Sequence, residues 1–467
     1  METEYDVVII GAGAVAENVA DRAVQGGLTA VLIESELVGG ECSYWACMPS
    51  KALLRSGSAL RAARVVEGAK QAVTGDLDVA AVLRRRTSFT HDWDDASQVD
   101  WVAGAGIALV RGHGRLTGVK TVSVEKDGQL THLTARHAVV VATGSDPALP
   151  DVPGLADATP WTPREATSAT AIPESLAIIG GGVVAVEMAT AYASFGCAVT
   201  VIARSGLLAD AEDIAGEAVA KALTAEGVRI VHGSPSAVRR DSLVHLTVGD
   251  EVIDAAELLV ATGRQPRSTD IGLDTVGLTP GEWLDVDDTL LVTGFDWLYG
   301  VGDINHRALL THQGKYQARA AGDVIAARAL GHSVSDAPWG SHVATADHRS
   351  VPQVTFSEPQ VASVGLTSEQ ARDAGYEIRV VDYNLGWVAG ASLQADDYEG
   401  TARMVVDEKR QVVLGVTFVG QDVAELIHAA TIAVVGEVPL DRLWHAVPAY
   451  PTMNEVWLRL LETYGRP

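Results

Sequence analysis

An α/β protein with two strand–glycine turn–helix units and a third, C-terminal α+β domain is what the sequence predicts, from three observations. The β-branched run Asp6-Val7-Val8-Ile9-Ile10 passes straight into Gly11-Ala12-Gly13-Ala14-Val15-Ala16 and a helical stretch closed by Gly26-Gly27. The same order recurs at Leu176–Ile179, Gly180-Gly181-Gly182-Val183-Val184-Ala185 and Val186–Phe195. From about Ser350 the chain turns to alternating strands and helices with no glycine fingerprint. Strand, glycine turn, helix and strand in this order form the Rossmann-like pattern. A chain of 467 residues leaves room for two or three such domains.

Each element has a physical reason. An unbroken β-branched strand suits a parallel sheet covered on both faces. Glycines let the backbone approach a pyrophosphate, and the helix that starts there offers free N–H groups and the positive end of its dipole. Gly11, Gly13 and Ala16 hold the fingerprint positions of the first unit, Gly180 and Gly182 those of the second. The strand Thr29–Ile33 delivers Glu34, 23 residues after Gly11. An acid so placed binds both ribose hydroxyls, so the first site is expected to hold an unphosphorylated adenosine, that of FAD or NAD.

The second unit's last strand, Ala198–Ile202, ends in Ala203-Arg204-Ser205. Arg204 puts a cation where the acid would stand, which suits a 2′-phosphate and favours NADPH over NADH; an ordinary surface arginine is the other reading. Thr121–Val141 reads as a hairpin turning at Lys126-Asp127-Gly128. Val139–Gly144 (VVVATG) and Leu258–Gly263 (LLVATG) are similar strand ends, each closing a nucleotide domain. Pro147, Pro150 and Pro153 mark a linker, as do Pro160, Pro163 and Pro173. The run Arg84-Arg85-Arg86 is expected to be a solvated helix face.

Composition narrows the function classes. With 47% apolar and 20% charged residues the chain reads as a soluble globular protein. No apolar run reaches the roughly 18 residues that a membrane helix needs. Met1–Ile10 contains Glu2, Glu4 and Asp6 and reads as a strand, not a secretory signal, so a cytoplasmic location is expected. A formal charge of −25 argues against nucleic acid or an anionic membrane as partner. Three cysteines are too few for a disulfide scaffold. Two of them, Cys42 and Cys47, are close enough in sequence to suggest redox or metal chemistry. Zinc wants four ligands, and no Cys-x-x-Cys or close histidine pair stands nearby, so no metal site is expected. Cys197, in a mostly apolar run, reads as a small core residue.

The stretch Gly39-Gly40-Glu41-Cys42-Ser43-Tyr44-Trp45-Ala46-Cys47-Met48-Pro49-Ser50-Lys51 is decisive. It resembles the GGxCxxxxCxPSK hallmark of the pyridine nucleotide-disulfide oxidoreductases at every fixed position. The likeness extends along the chain: Val301-Gly302-Asp303 matches the family's second FAD motif, Ala261–Pro266 its ATGRxP strand, and Phe356–Thr367 its interface segment. The resemblance implies an FAD-dependent enzyme taking electrons from a nicotinamide nucleotide. It implies an FAD-binding domain over 1–150 and 268–345, an NAD(P)-binding domain over 151–267, and a dimerisation domain over 346–467. Cys47 is then expected to face the flavin as a thiolate, stabilised by the start of a helix, and Cys42 to be the outer thiol that meets the acceptor. Lys51 and Glu187 resemble the ion pair beside flavin N5. Gly40 belongs to the same cofactor-binding segment. Asp303 is expected to hydrogen-bond the ribityl chain, with Gly302 allowing close approach, and Gly144 and the backbone near His312 to border the cofactor.

One departure stands out. Where most disulfide-reducing members have HxHPTxxE, this chain has Pro448-Ala449-Tyr450-Pro451-Thr452-Met453-Asn454-Glu455. Tyr450 takes the place of the histidine that protonates the leaving thiolate from the partner subunit, while Glu455 is retained. A histidine titrating near 6.5 shuttles protons at neutral pH; a tyrosine near 10 is a donor but a poor base. His445, five residues earlier, reads as a capping or surface residue. The mercuric reductase branch also carries tyrosine here, but it ends in a vicinal cysteine pair, and here no cysteine follows Cys197. The expectation is a homodimer that passes electrons from NADPH through FAD and the Cys42–Cys47 dithiol to a disulfide, a reactive small molecule or a metal ion. The alternative is a flavin reductase for quinones or similar acceptors, with the cysteines accessory.

Overall fold

In the computed structural model, which describes residues 2–466, the chain forms two compact units. One consists of Met1–Pro49, Thr87–Ala148 and Arg264–His348; the other of Ser50–Arg86, Leu149–Gly263 and Arg349–Pro467.

The first unit is built on a seven-stranded sheet. Ala108–Arg111, Ala30–Glu34, Glu4–Ile10 and the second half of Gln129–Val141 lie parallel, and Leu298–Gly300 joins the last of these. The strand Glu4–Ile10 is central, with Val7, Val8 and Ile9 wholly buried, as a β-branched run between two covered faces requires. The first half of Gln129–Val141 pairs instead with Thr121–Lys126, and that strand with His113–Gly118, both antiparallel. Asp127 and Gly128 both take positive φ at the turn, the conformation a two-residue hairpin needs. Helix Ala14–Gln25 covers one face and is itself covered by helix Thr311–Ala329. Small residues let these two helices approach closely: a Cβ on Gly26 would lie 2.5 Å from that of Ala326.

The second unit contains a four-stranded parallel sheet in the order Arg229–His232, Ala198–Ala203, Ser175–Ile179, Glu257–Val260. Helix Val183–Ser194 lies against it with the continuous run Ala185–Tyr192 buried, so this helix is hydrophobic nearly all round. A three-stranded antiparallel sheet, Ala237–Arg240, Val244–Val248 and Glu251–Ala255, follows. After Ser350 come five antiparallel strands, with the buried Val412–Gly420 at their middle, and helices including Ile427–Val435 and Val456–Tyr464. Among the described residues no helix is long and apolar enough to cross a membrane.

The arginine run departs from its expected place. Arg84 and Arg85 are exposed, but Arg86 is only 2% exposed. Its guanidinium donates to the carbonyl oxygens of Thr167 and, at 2.9 Å, Ala169. Three consecutive residues on helix Val79–Phe89 cannot share one face at 100° per residue, so the third turns into the core and caps the end of helix Pro163–Ser168.

Candidate active site

The first glycine turn has the geometry of a phosphate cradle. Gly11 has φ +106°, and a Cβ there would meet the Ala142 carbonyl oxygen at 2.5 Å, so only glycine fits. Gly13 precedes helix Ala14–Gln25 with no side chain capping its first N–H groups, which leaves them to an anion. Ala16 is wholly buried. Glu34 stands at the strand end with Oε2 accepting the Ala12 N–H at 2.8 Å and Oε1 the Glu36 N–H at 2.7 Å. Burial raises its carboxyl above the ordinary range, and these two backbone donors oppose that rise.

The cysteine segment is clamped to this cradle. Gly39 (φ +107°) donates its N–H to the Ala12 carbonyl at 2.8 Å, and a Cβ on Gly40 would lie 2.9 Å from the Gly13 Cα. The double glycine therefore lets two backbone turns touch. Helix Gly40–Tyr44 then carries Cys42, and Cys47 opens helix Cys47–Arg64. Pro49 costs that helix nothing, because its missing N–H falls in the first turn. The Cys42 thiol is hydrogen-bonded to the Cys47 sulfur, and Cys47 Sγ lies 3.3 Å from Thr311 Oγ1. The Cys42 thiol is pushed well above its ordinary value, foremost by the bond to Cys47, then by burial and by repulsion from Cys47; Thr311 and Lys315 act against this. The start of helix Cys47–Arg64 and the Thr311 hydroxyl are the groups that would stabilise a thiolate at Cys47.

Four more expected residues lie in the same unit. Gly302 takes φ +76° and donates its N–H to Gln317 Oε1 at 2.8 Å. Asp303 accepts from Ser145 Oγ at 2.6 Å, and Arg264 donates to the Ser145 carbonyl at 2.6 Å. Gly144 has φ +75°, and nothing lies within 4 Å of a Cβ built on it. His312 is exposed in the first turn of helix Thr311–Ala329. The glycine cradle, the uncapped helix start and the acid at the next strand end fit the pyrophosphate and adenosine of FAD.

The second unit holds the rest. Lys51 Nζ donates to Glu187 Oε2 at 2.8 Å, Glu187 being 3% exposed. Gly180 takes φ +131°, so close to the Ala261 carbonyl that a side chain is excluded, and Gly182 precedes helix Val183–Ser194 with no side-chain cap. Gly263 has open space beside it. Arg204 is exposed just past strand Ala198–Ala203. Tyr450 is 76% exposed, whereas Glu455 is 5% exposed with Oε2 finding no hydrogen-bond partner among the described residues. His445 is exposed. Cys197 is buried, which pushes its thiol up to about 11, unlike a reactive cysteine.

Thr311 and Lys315 escaped the sequence reading. Thr311 and Lys315 lie some 260 residues beyond the cysteines and reach them only through packing of helix Thr311–Ala329.

The sequence matches the family described as pyridine nucleotide-disulphide oxidoreductase over residues 5–322, and that family's dimerisation domain over 351–460. A mercuric reductase of Staphylococcus aureus is 30% identical over 97% of this chain and 81% of its own length. A dihydrolipoyl dehydrogenase of Chlamydia pneumoniae is 30% identical over 98% of this chain and 96% of its own length. Among solved structures, the Cu(II) complex of the HOCl-induced flavoprotein disulfide reductase RclA from Escherichia coli superposes with a TM-score of 0.85 at 22% identity, covering 99% of each chain. LpdA from Mycobacterium tuberculosis superposes with a TM-score of 0.83 at 22% identity over the whole of both chains. At these identities the structural likeness is one of fold.

Proposed function

This chain belongs to the pyridine nucleotide-disulphide oxidoreductases, and from that premise we propose that it carries electrons from NADPH to the Cys42–Cys47 pair and on to a soluble acceptor. The family membership makes it an FAD-dependent oxidoreductase with a pyridine nucleotide as substrate, and its dimerisation domain supports a homodimer. FAD would supply a two-electron carrier between the nicotinamide and the cysteines. The acceptor is a disulfide, a reactive small molecule or a metal ion.

The observation that carries this reading is the pairing of the two cysteines, with Cys47 opening helix Cys47–Arg64 and its Sγ 3.3 Å from Thr311 Oγ1. A thiolate at the inner sulfur is stabilised by the helix start and the Thr311 hydroxyl, and the outer thiol meets the acceptor. Gly11, Gly13, Gly40, Glu34, Gly144, Gly302 and Asp303 hold FAD in this proposal, and Lys51, paired with Glu187, supports negative charge on its ring. Gly180, Gly182 and Gly263 receive the nicotinamide nucleotide, with Arg204 on its 2′-phosphate. Tyr450 and Glu455 face the acceptor site of the other subunit.

The placement of Tyr450 keeps a second reading alive, a reductase of quinones in which the cysteines are accessory. Exchange of Cys42 for serine separates them. Disulfide reduction by NADPH is expected to fall at least about 10³-fold with flavin reduction retained, as for loss of a covalent nucleophile. Undiminished disulfide turnover by Cys42→Ser refutes the dithiol route.

A further inference from the structure

Helix Gly40–Tyr44, which carries Cys42, is too short to hold itself in place. Its five residues make little more than one turn, and a helix of that size is unfavourable on its own. One neighbouring turn grips it at both ends. Trp93 Nε1 donates to the Tyr44 carbonyl at 3.2 Å, giving the last residue of the helix a partner. Asp95 Oδ2 accepts the Val38 N–H at 2.7 Å, just before the double glycine that opens the helix. The same oxygen accepts from Arg111 Nη2 at 2.5 Å, and Arg111 Nη1 donates to the Glu36 carbonyl at 2.9 Å. Tyr44 is wholly buried and the Asp95 side chain is 13% exposed, so water is a poor substitute for these bonds.

The grip is made by strained backbone. His91, Asp92 and Trp93 take φ of +49°, +53° and +57°, three consecutive residues in the left-handed region that glycine favours. Elsewhere among the described residues positive φ falls on single non-glycine residues. The turn is pinned by the Trp93 N–H on the Thr90 carbonyl at 2.8 Å and the Asp94 N–H on the His91 carbonyl at 2.9 Å, with Thr90 wholly buried. Backbone of this kind persists only where its surroundings over-determine it, and it gathers at functional sites. We infer that Trp93 and Asp95 are positioning residues, which hold Cys42 against Cys47 and so set the reduction potential of the pair. This rests on the dithiol reading above.

Two thiols fixed at short range have a high effective concentration at one another, which favours the disulfide. The disulfide, once formed, restrains the helix by itself, so the grip matters chiefly to the dithiol. Without the grip the dithiol gains freedom that the disulfide lacks, and the equilibrium moves toward the dithiol. In exchange with dithiothreitol the Cys42–Cys47 bond breaks and each sulfur gains a proton. The two electrons and two protons come from dithiothreitol, which closes to its own cyclic disulfide.

The test equilibrates the FAD-loaded enzyme anaerobically with dithiothreitol buffers and reads alkylation of Cys42 and Cys47 by peptide mass. Trp93→Phe keeps an aromatic ring and removes the donor. It is expected to shift the exchange constant about tenfold toward the dithiol, a rise in midpoint of about 30 mV. Asp95→Ala is expected to shift it the same way. Asp95→Asn, whose single amide oxygen can accept from both Val38 and Arg111, is expected to stay within about twofold of the parent. These two variants decide the matter should Trp93→Phe fold poorly. A role in fold stability alone lowers the melting temperature and leaves the midpoint in place. An unmoved midpoint in folded Trp93→Phe or in Asp95→Ala overturns the assignment, as does a shift in Asp95→Asn equal to that in Asp95→Ala. A parent enzyme that forms no Cys42–Cys47 disulfide in any buffer sinks the dithiol reading itself, a separate result that is read before any variant.

Discussion

Glu187 Oε2 accepts from Lys51 Nζ at 2.8 Å while its Oε1 accepts the Phe356 N–H at 2.9 Å, so one buried carboxylate ties helix Cys47–Arg64 to the strand-rich segment after Ser350. The Lys51 ammonium also lies 5.0 Å from the centre of the Phe356 ring. A carboxylate buried this far persists only with its partners. Glu187→Ala leaves the Phe356 N–H and the ammonium without an acceptor. Breaking such a pair costs roughly 3–5 kcal/mol when both ends are buried. The Lys51 side chain is 35% exposed, so solvent screening reduces the expected loss to about 2 kcal/mol. Glu187→Gln, which keeps an acceptor, is expected to lose less. Urea unfolding of the three proteins checks the order.

Arg86 and Arg84 stand two residues apart with opposite surroundings. Arg86→Ala removes two hydrogen bonds to the Thr167 and Ala169 carbonyls and opens a cavity, for an expected loss of about 3 kcal/mol. Arg84→Ala is expected to stay within about 0.5 kcal/mol of the parent. Thermal unfolding that leaves the two variants alike contradicts the buried assignment.

That contrast marks what was legible beforehand. Glycine turns, the hairpin at Asp127-Gly128 and the CxxxxC segment are local: backbone conformation and short spacing determine them, and both are written in neighbouring residues. Arg86 was read from composition as surface, because its carbonyl partners lie 81 and 83 residues along the chain. Thr311 and Lys315 were invisible for the same reason.

Arg204 is the residue proposed to set the nucleotide preference. It is exposed at the end of strand Ala198–Ala203, in the position where an acid would bind a free ribose. Arg204→Glu is expected to lower kcat/KM for NADPH by about 10²-fold and to favour NADH, since a charged hydrogen bond of about 2–3 kcal/mol becomes a repulsion. Steady-state kinetics with both nucleotides decides this, and an unchanged ratio returns Arg204 to an ordinary surface role.

Burial of Glu17, in the first turn of helix Ala14–Gln25, leaves a mark on stability. Unfolded, its carboxyl titrates at about 4.5; folded, at about 7. The folded state therefore binds the proton more tightly. Stability is lost as pH rises from 4.5 and the full penalty is present above 7, on the order of 2 kcal/mol. Glu17→Gln is expected to match the parent at pH 4.5 and exceed it at pH 8. Melting curves that run parallel across this range argue that the carboxyl is solvated.

Asp347 sets the direction of an amide that in turn holds Gly302, in the segment proposed to border FAD. Its Oδ1 accepts from Gln313 Nε2 at 2.8 Å and its Oδ2 from Gln317 Nε2 at 2.9 Å, with Arg307 Nε 3.2 Å away. An ionised carboxylate only accepts, so it forces the Gln317 amide to point its nitrogen inward and Oε1 toward Gly302 N–H, 2.8 Å away, and Asn305 Nδ2, 2.9 Å away. Gln313, Gln317, Asn305 and Asp347 are all buried, so no water replaces a lost partner cheaply. Asp347→Asn places an NH₂ group against one of these donors. The Gln317 amide then gains by flipping, which sets its own NH₂ against the Gly302 N–H. The loop Gly302–Asn305 is expected to loosen and FAD to leave about tenfold faster, a change of about 1.4 kcal/mol. The recovery of free-flavin fluorescence on dilution measures that rate. Release as slow as in the parent means that Gly302 keeps its place without the carboxylate.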